Sequence, residues 1–178
     1  MIVFEEQVER LVNVMPPLVD ANSISHKICY DWGTVDVLNK FLLQATTETP
    51  YPLIWLVPSK DTNDLREPSV TRRARLIFAT LSYNSDQFNR FQYQNDFKEI
   101  LQPTVNNFLK ALSQSGISRY DDTSFETERI PNYSVLYRED SEDKSKTAQI
   151  AVWNAIVLDA TITFSGISSC LKTIYFND

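Results

Sequence analysis

The chain has 178 residues, 43% of them apolar and 12% aromatic, which suits a single domain with its own core and excludes a disordered chain. Acidic residues number 23 against 17 basic ones, a net charge of −6, which places a general nucleic-acid binder at a disadvantage. No apolar run approaches the roughly 20 residues a membrane helix needs, and the start of the chain, with Glu5, Glu6 and Glu9, lacks the basic-then-apolar layout of a signal peptide. A soluble protein made in the cytoplasm is the expectation.

In chain order, Phe4, Val8, Leu11, Val12 and Met15 recur at helical spacing, and Pro16 and Pro17 close the pattern. This predicts a helix over about residues 3–15. His26 to Trp32 alternates, with Ile28, Tyr30 and Trp32 on one side, as in a short strand. Thr34 can cap a second helix in which Val37, Leu38, Phe41 and Leu42 share a face, ending near Gln44. The run from Tyr51 to Pro58 is apolar between prolines and reads as a strand buried on both faces. Ser59 to Ser69 is polar and rich in turn formers, an exposed loop or hairpin arm.

Val70 to Tyr83 predicts a long strand, exposed at its arginine end and buried further on. Phe97, Ile100, Leu101, Val105, Phe108, Leu109 and Leu112 give a third helix a wide apolar face. Pro103 predicts a kink or break inside it, and Gly116 a stop. Phe125 to Ile130 and Tyr133 to Tyr137 read as short strands around Pro131 and Asn132, and the charged residues 138–149 as an exposed loop. Ile150 to Phe164 is a long strand with Ile156, Leu158, Ala160, Ile162 and Phe164 on one face and Val157, Asp159, Thr161 and Thr163 on the other. Cys170 to Phe176 reads as another strand or as a tail that reaches a neighbour. The sum is one α+β domain over residues 1–178, with helices packed on one side of a mainly antiparallel sheet.

Catalytic chemistry finds few footholds. The three glycines, Gly33, Gly116 and Gly166, cannot build a phosphate-cradling loop. His26 is the single histidine, and Cys29 lies three residues on, which on one strand would put the two side chains on opposite faces. A polar residue at a strand start explains His26 better than a catalytic pair. Cys29 and Cys170 fit free core thiols. Asp121, Asp122, Glu126 and Glu128, and likewise Glu139, Asp140, Glu142 and Asp143, stand in turn-rich text that suits solvated loops. Trp32, Trp55 and Trp153 are expected in the core, Trp153 with an interface as the other reading. No cofactor or metal site is expected.

Arg72, Arg73 and Arg75 form the one tight basic cluster. Strand alternation separates Arg72 from the other two. They suit an exposed strand end, or a contact with acids of a neighbouring subunit.

Four segments together resemble the tail-terminator and tail-completion proteins of the phage head–tail neck. They are FEEQVERLVNVM; PLIWLVP with the polar loop and RRARLIFATL after it; FKEILQPTVNNFLKAL; and WNAIVLDATITF followed by CLKTIYF. The resemblance implies a virion protein without catalytic residues. It would form a ring, typically a hexamer, that joins the tail tube to the head connector. Partners would be further copies, other neck proteins and the tail-tube protein, with no membrane and no nucleic acid beyond DNA passing through a ring lumen. A ring subunit needs two different patches. Arg72, Arg73 and Arg75 on one side, and Glu139, Asp140, Glu142 and Asp143 on the other, are the expected interface residues. The alternatives are an adaptor or regulatory module with an acidic surface, and a small hydrolase using loop carboxylates.

Overall fold

Two strands of unusual length organise the structure, a computed structural model that describes residues 2–19, 23–44, 51–64, 66, 68–82, 90, 93–120, 125–133, 152–165 and 171–176. Strand β6 (Ser69–Ser82) and strand β9 (Val152–Ser165) pair antiparallel along their whole length, from Ser69 opposite Ser165 to Ser82 opposite Val152. Both are rich in β-branched and aromatic residues, which pack well on a pleated surface. Each carries two short strands on its outer edge. On β6 these are β4 (Leu53–Val57), opposite residues 75–79, and β5 (Asp61–Asp64), opposite residues 69–72. On β9 they are β7 (Ser118–Tyr120) and β8 (Glu126–Ile130). Strand β3 (Cys29–Trp32) runs parallel to β4 and closes a seven-stranded sheet. β1 (Leu18–Val19) and β2 (Ser25–His26) form a separate small antiparallel pair. The polar segment after Pro58 is thus the hairpin arm, with β5 exposed throughout.

Period-two alternation divides the sheet's side chains between two cores. The first face presents Ile54, Leu56, Ala74, Leu76, Phe78, Ile156, Leu158, Ala160, Ile162 and Phe164. Helix α1 (Phe4–Asn13) covers it with Phe4, Val8, Leu11 and Val12. The helical stretch from Tyr93 to Gln114 adds Phe97, Leu101, Val105, Phe108 and Leu112. Phe4 meets Phe164, and Phe78 meets Phe108, edge to face at centroid distances of 4.9 and 5.6 Å. The second face presents Leu53, Trp55, Ile77, Ala79, Leu81, Trp153, Ala155 and Val157. Leu38 and Leu42 of helix α2 (Val35–Gln44), the crossover between the parallel strands β3 and β4, pack there with Tyr133.

The class is α+β, and every pairing but β3 with β4 is antiparallel. α1 and the helical stretch from Tyr93 to Gln114 share one side, as their apolar patterns require. α2 covers part of the other, because Leu53 and Trp55 of β4 leave an apolar surface there to bury.

Pro103 marks a change of helix type. Tyr93–Leu101 is π-helical, and α3 (Gln102–Gln114) is regular from there on. Proline has no N–H to continue the preceding ladder, and Thr104 instead donates its hydroxyl to the Ile100 carbonyl at 2.7 Å. After α3 the chain leaves through Gly116 at φ +74°, a left-handed conformation that glycine adopts without strain.

Trp55 and Trp153 are buried as expected, but Trp32 is 53% exposed. It is the last residue of an edge strand, beyond the cover that partly buries Tyr30. His26 and Cys29 sit on different strands, in different sheets. The C-terminal residues 171–176 form no strand. They lie back on their own chain, with Leu171, Ile174 and Phe176 against the first core and the Lys172 N–H donating to the Ser115 carbonyl at 2.9 Å. The expected strand at 133–137, apart from Tyr133, and the expected loop at 138–149 fall outside the described residues.

Candidate interaction surface

The three arginines lie on β6, and alternation gives them different fates. Arg72 points to the first face and is only 4% exposed. Its Nε and Nη2 donate to the Asp61 carboxylate at 2.6 and 2.9 Å, and its Nη1 donates to Glu5 Oε1 at 2.6 Å. The guanidinium also lies over the Phe4 ring, 4.3 Å from the centroid. Burial pulls its pKa down, but the bonds to Asp61 and Glu5 outweigh this and the net direction is up. Arg72 therefore clamps α1, β5 and β6 together and is spent within the subunit.

Arg73 and Arg75 point to the second face, beyond the end of its apolar core. Arg75 grips Asp159 directly across the ladder, Nε to Oδ1 at 2.9 Å and Nη2 to Oδ2 at 2.8 Å, with its side chain 57% exposed. The hydrogen bonds and charge of Asp159 raise its pKa, with Glu128 contributing. Arg73 is exposed, and no described residue forms an ion pair with it.

Register shows what surrounds them. Directly opposed residues share a face. Arg73 stands opposite Thr161, Thr71 opposite Thr163, and Arg119 of β7 opposite Thr163 on its other side. Thr71 and Thr163 join hydroxyls at 2.8 Å. Glu126 of β8 stands opposite Asp159, and Glu128 opposite Val157. This half of the second face is therefore open to solvent and bipolar. Arg73 and Arg119 flank a threonine track on β9, and Glu126 and Glu128 line the neighbouring rim. All four charged side chains are exposed.

Sequence reasoning singled out Arg73 and Arg75 but not Arg119, which lay outside every assigned element. Glu126 and Glu128 were grouped with loop acids, although the strand expected at Phe125 to Ile130 places both on one face. Glu139, Asp140, Glu142 and Asp143 lie outside the described residues.

Other chemistry is sparse among the described residues. No group of three or more His, Cys, Asp or Glu side chains is placed to hold a metal ion, and no helix is long and apolar enough to cross a membrane. Burial raises the Cys29 thiol's pKa, with Lys27 opposing, which disfavours the reactive thiolate. His26 lies against the Tyr51 ring at 4.9 Å. Comparison with protein-family models, with curated proteins and with solved structures finds no match to this chain.

Proposed function

We propose that this chain is a non-enzymatic assembly subunit, and that its assembly is a ring of the phage neck, of the tail-terminator or tail-completion kind. The observation that carries the assembly reading is the bipolar open half of the second face. The side chains of Arg73, Arg119, Glu126 and Glu128 form no hydrogen bond or ion pair among the described residues, whereas those of Arg72 and Arg75 are already paired. Opposite charges left unpaired on neighbouring strands of one exposed face suit electrostatic docking of a protein partner.

The neck assignment rests on the four segments that resemble that family. These are α1, the β4–β6 unit, the helical stretch that ends in α3, and β9 with the residues after it. In that role the protein would belong to the virion, with neck proteins and the tail tube as partners. The second reading, an adaptor that meets a basic partner, draws on the net charge of −6.

Solution mass measured across concentration, with negative-stain images of the large species, tests the proposal. Closed rings are expected. A strict monomer that binds a heterologous basic protein would transfer the case to the adaptor.

A further inference from the structure

We infer that the open half of the second face is the docking site for a second copy of this chain, whose β8 rim brings Glu126 and Glu128 onto Arg73 and Arg119. This rests on the assembly reading above and names the partner surface and the pairs that reading leaves open.

Chemistry defines the occupant. The receiving surface is a piece of sheet with hydroxyls at Thr161 and Thr163 and one exposed guanidinium on each side of them. Such a surface accepts carboxylates, by the planar fork of arginine and by the threonine hydroxyls. It is too open to enclose a small ligand, so the carboxylates must come on a rigid support. β8 is such a support. Among the described strands it pairs only with β9. Its two glutamates alternate onto one face, spaced as residues i and i+2 of a strand, about 7 Å apart.

Within one subunit no ion pair joins the rim to this site among the described residues. Glu126 and Glu128 extend from the same sheet as Arg73 and Arg119, side by side with them, and Glu128 instead adds its field to Arg75. A second copy can lay its rim across the face. The donating rim and the receiving face are different patches, and the contact is head-to-tail where each copy docks its rim on the face of the next instead of two copies exchanging rims. Repeated, it makes a ring if the rotation closes and a filament if it does not.

The test is charge reversal read by sedimentation velocity across concentration, with thermal unfolding to show that each variant folds. R73E/R119E and E126R/E128R should each weaken self-association about tenfold or more, because like charges then face each other. An equimolar mixture should recover assembly, since each variant offers the rim that the other's face accepts. The fourfold swap in one chain should recover it as well. If either reversal disturbs folding, R73Q/R119Q and E126Q/E128Q give the same comparison with weaker effects. Wild-type assembly that neither reversal changes, or a mixture that stays dissociated, overturns the inference while leaving ring formation itself intact. A wild type that stays monomeric at every concentration overturns the inference together with the ring. So does a monomer that binds a DNA duplex through Arg73 and Arg119, in favour of a polyanion.

Discussion

Arg72 and Arg75 stand three positions apart on one strand, and the difference between them is a matter of solvent. Arg72 has lost nearly all its water and is held by two carboxylates and an aromatic ring. Removing such a cation leaves Glu5 and Asp61 without their partner in a partly desolvated site, which costs far more than an exposed pair is worth. Arg75 makes a bidentate pair with Asp159, but in high dielectric and with side-chain entropy opposing it. Arg72→Met should therefore lower unfolding stability by roughly 3 kcal/mol, and Arg75→Ala by less than about 1 kcal/mol. Urea titration of both variants checks this, and equal losses would refute the assignment of Arg72 as the clamp. The Tyr30 hydroxyl, which donates to the Glu5 carbonyl at 3.1 Å, belongs to the same corner. Its pKa is raised, by burial first and then by the charges of Glu5 and Glu9.

At the scale of elements, the π-helical segment is tied to the sheet by a buried acid. Asp96 is 8% exposed. Its Oδ2 accepts from the Asn154 side-chain amide at 2.7 Å, and Asn154 Oδ1 in turn accepts from the Asn132 N–H at 2.8 Å. One chain of bonds thus joins the helical layer, β9 and the turn after β8. Burial raises the Asp96 pKa, against the pull of its hydrogen bonds with Ser82 and Asn154. The folded state therefore holds this proton more tightly than the unfolded state. The stability Asp96 contributes is complete below the unfolded pKa, near 3.8, and is lost as pH rises through the raised folded value. Asp96→Asn keeps an acceptor for Asn154 and removes the titration. Its stability relative to the parent should rise with pH through that window and then level off. A difference that stays flat from acid to neutral pH would show that Asp96 does not titrate as its burial demands. Much of this layer was legible in the sequence. Helix periodicity located α1 and α3, Pro103 located the change of helix, and the alternation along Ile150 to Phe164 assigned both faces of β9 correctly. The parallel β3–β4 pairing was not legible, because strand partners are set by tertiary packing and not by local pattern. Neither was the short strand β7, which is three residues long and carries no alternation to detect. For the candidate surface, the sequence supplied the arginine cluster but not its division, since only the register shows which arginine meets acids from α1 and β5.

At the scale of the whole molecule, the two cores lie on opposite faces of one sheet and share β4, β6 and β9 as their common wall. Residues 76–82 of β6 are buried, alternating between the two cores. A strand of that kind cannot lose one core and keep its place in the other, because the same backbone ladder carries both sets of side chains. The cores should therefore unfold together. Phe108→Ala, which empties part of the first core, should cost about 3–5 kcal/mol, and Leu38→Ala in the second about 2–5 kcal/mol. Both losses should move a single transition, with far-UV and near-UV circular dichroism coincident in each variant. Two separate transitions, or a Leu38→Ala variant that loses near-UV signal from its tryptophan-rich core while the far-UV signal holds, would show that the second face folds on its own account. Amide exchange should report the same architecture. β6 and β9 pair with each other and with strands on both sides, so their inner amides should exchange only through global opening. β5 and β8, exposed strands on the rim of the sheet, should exchange through local fraying. On this argument the β8 rim that the ring contact requires is, like β5, an edge that its own subunit holds from one side among the described strands. Assembly should therefore slow exchange at Glu126 to Ile130 selectively, with β6 and β9 unchanged. Equal protection of β8 in the dissociated and assembled protein would remove the rim from the interface.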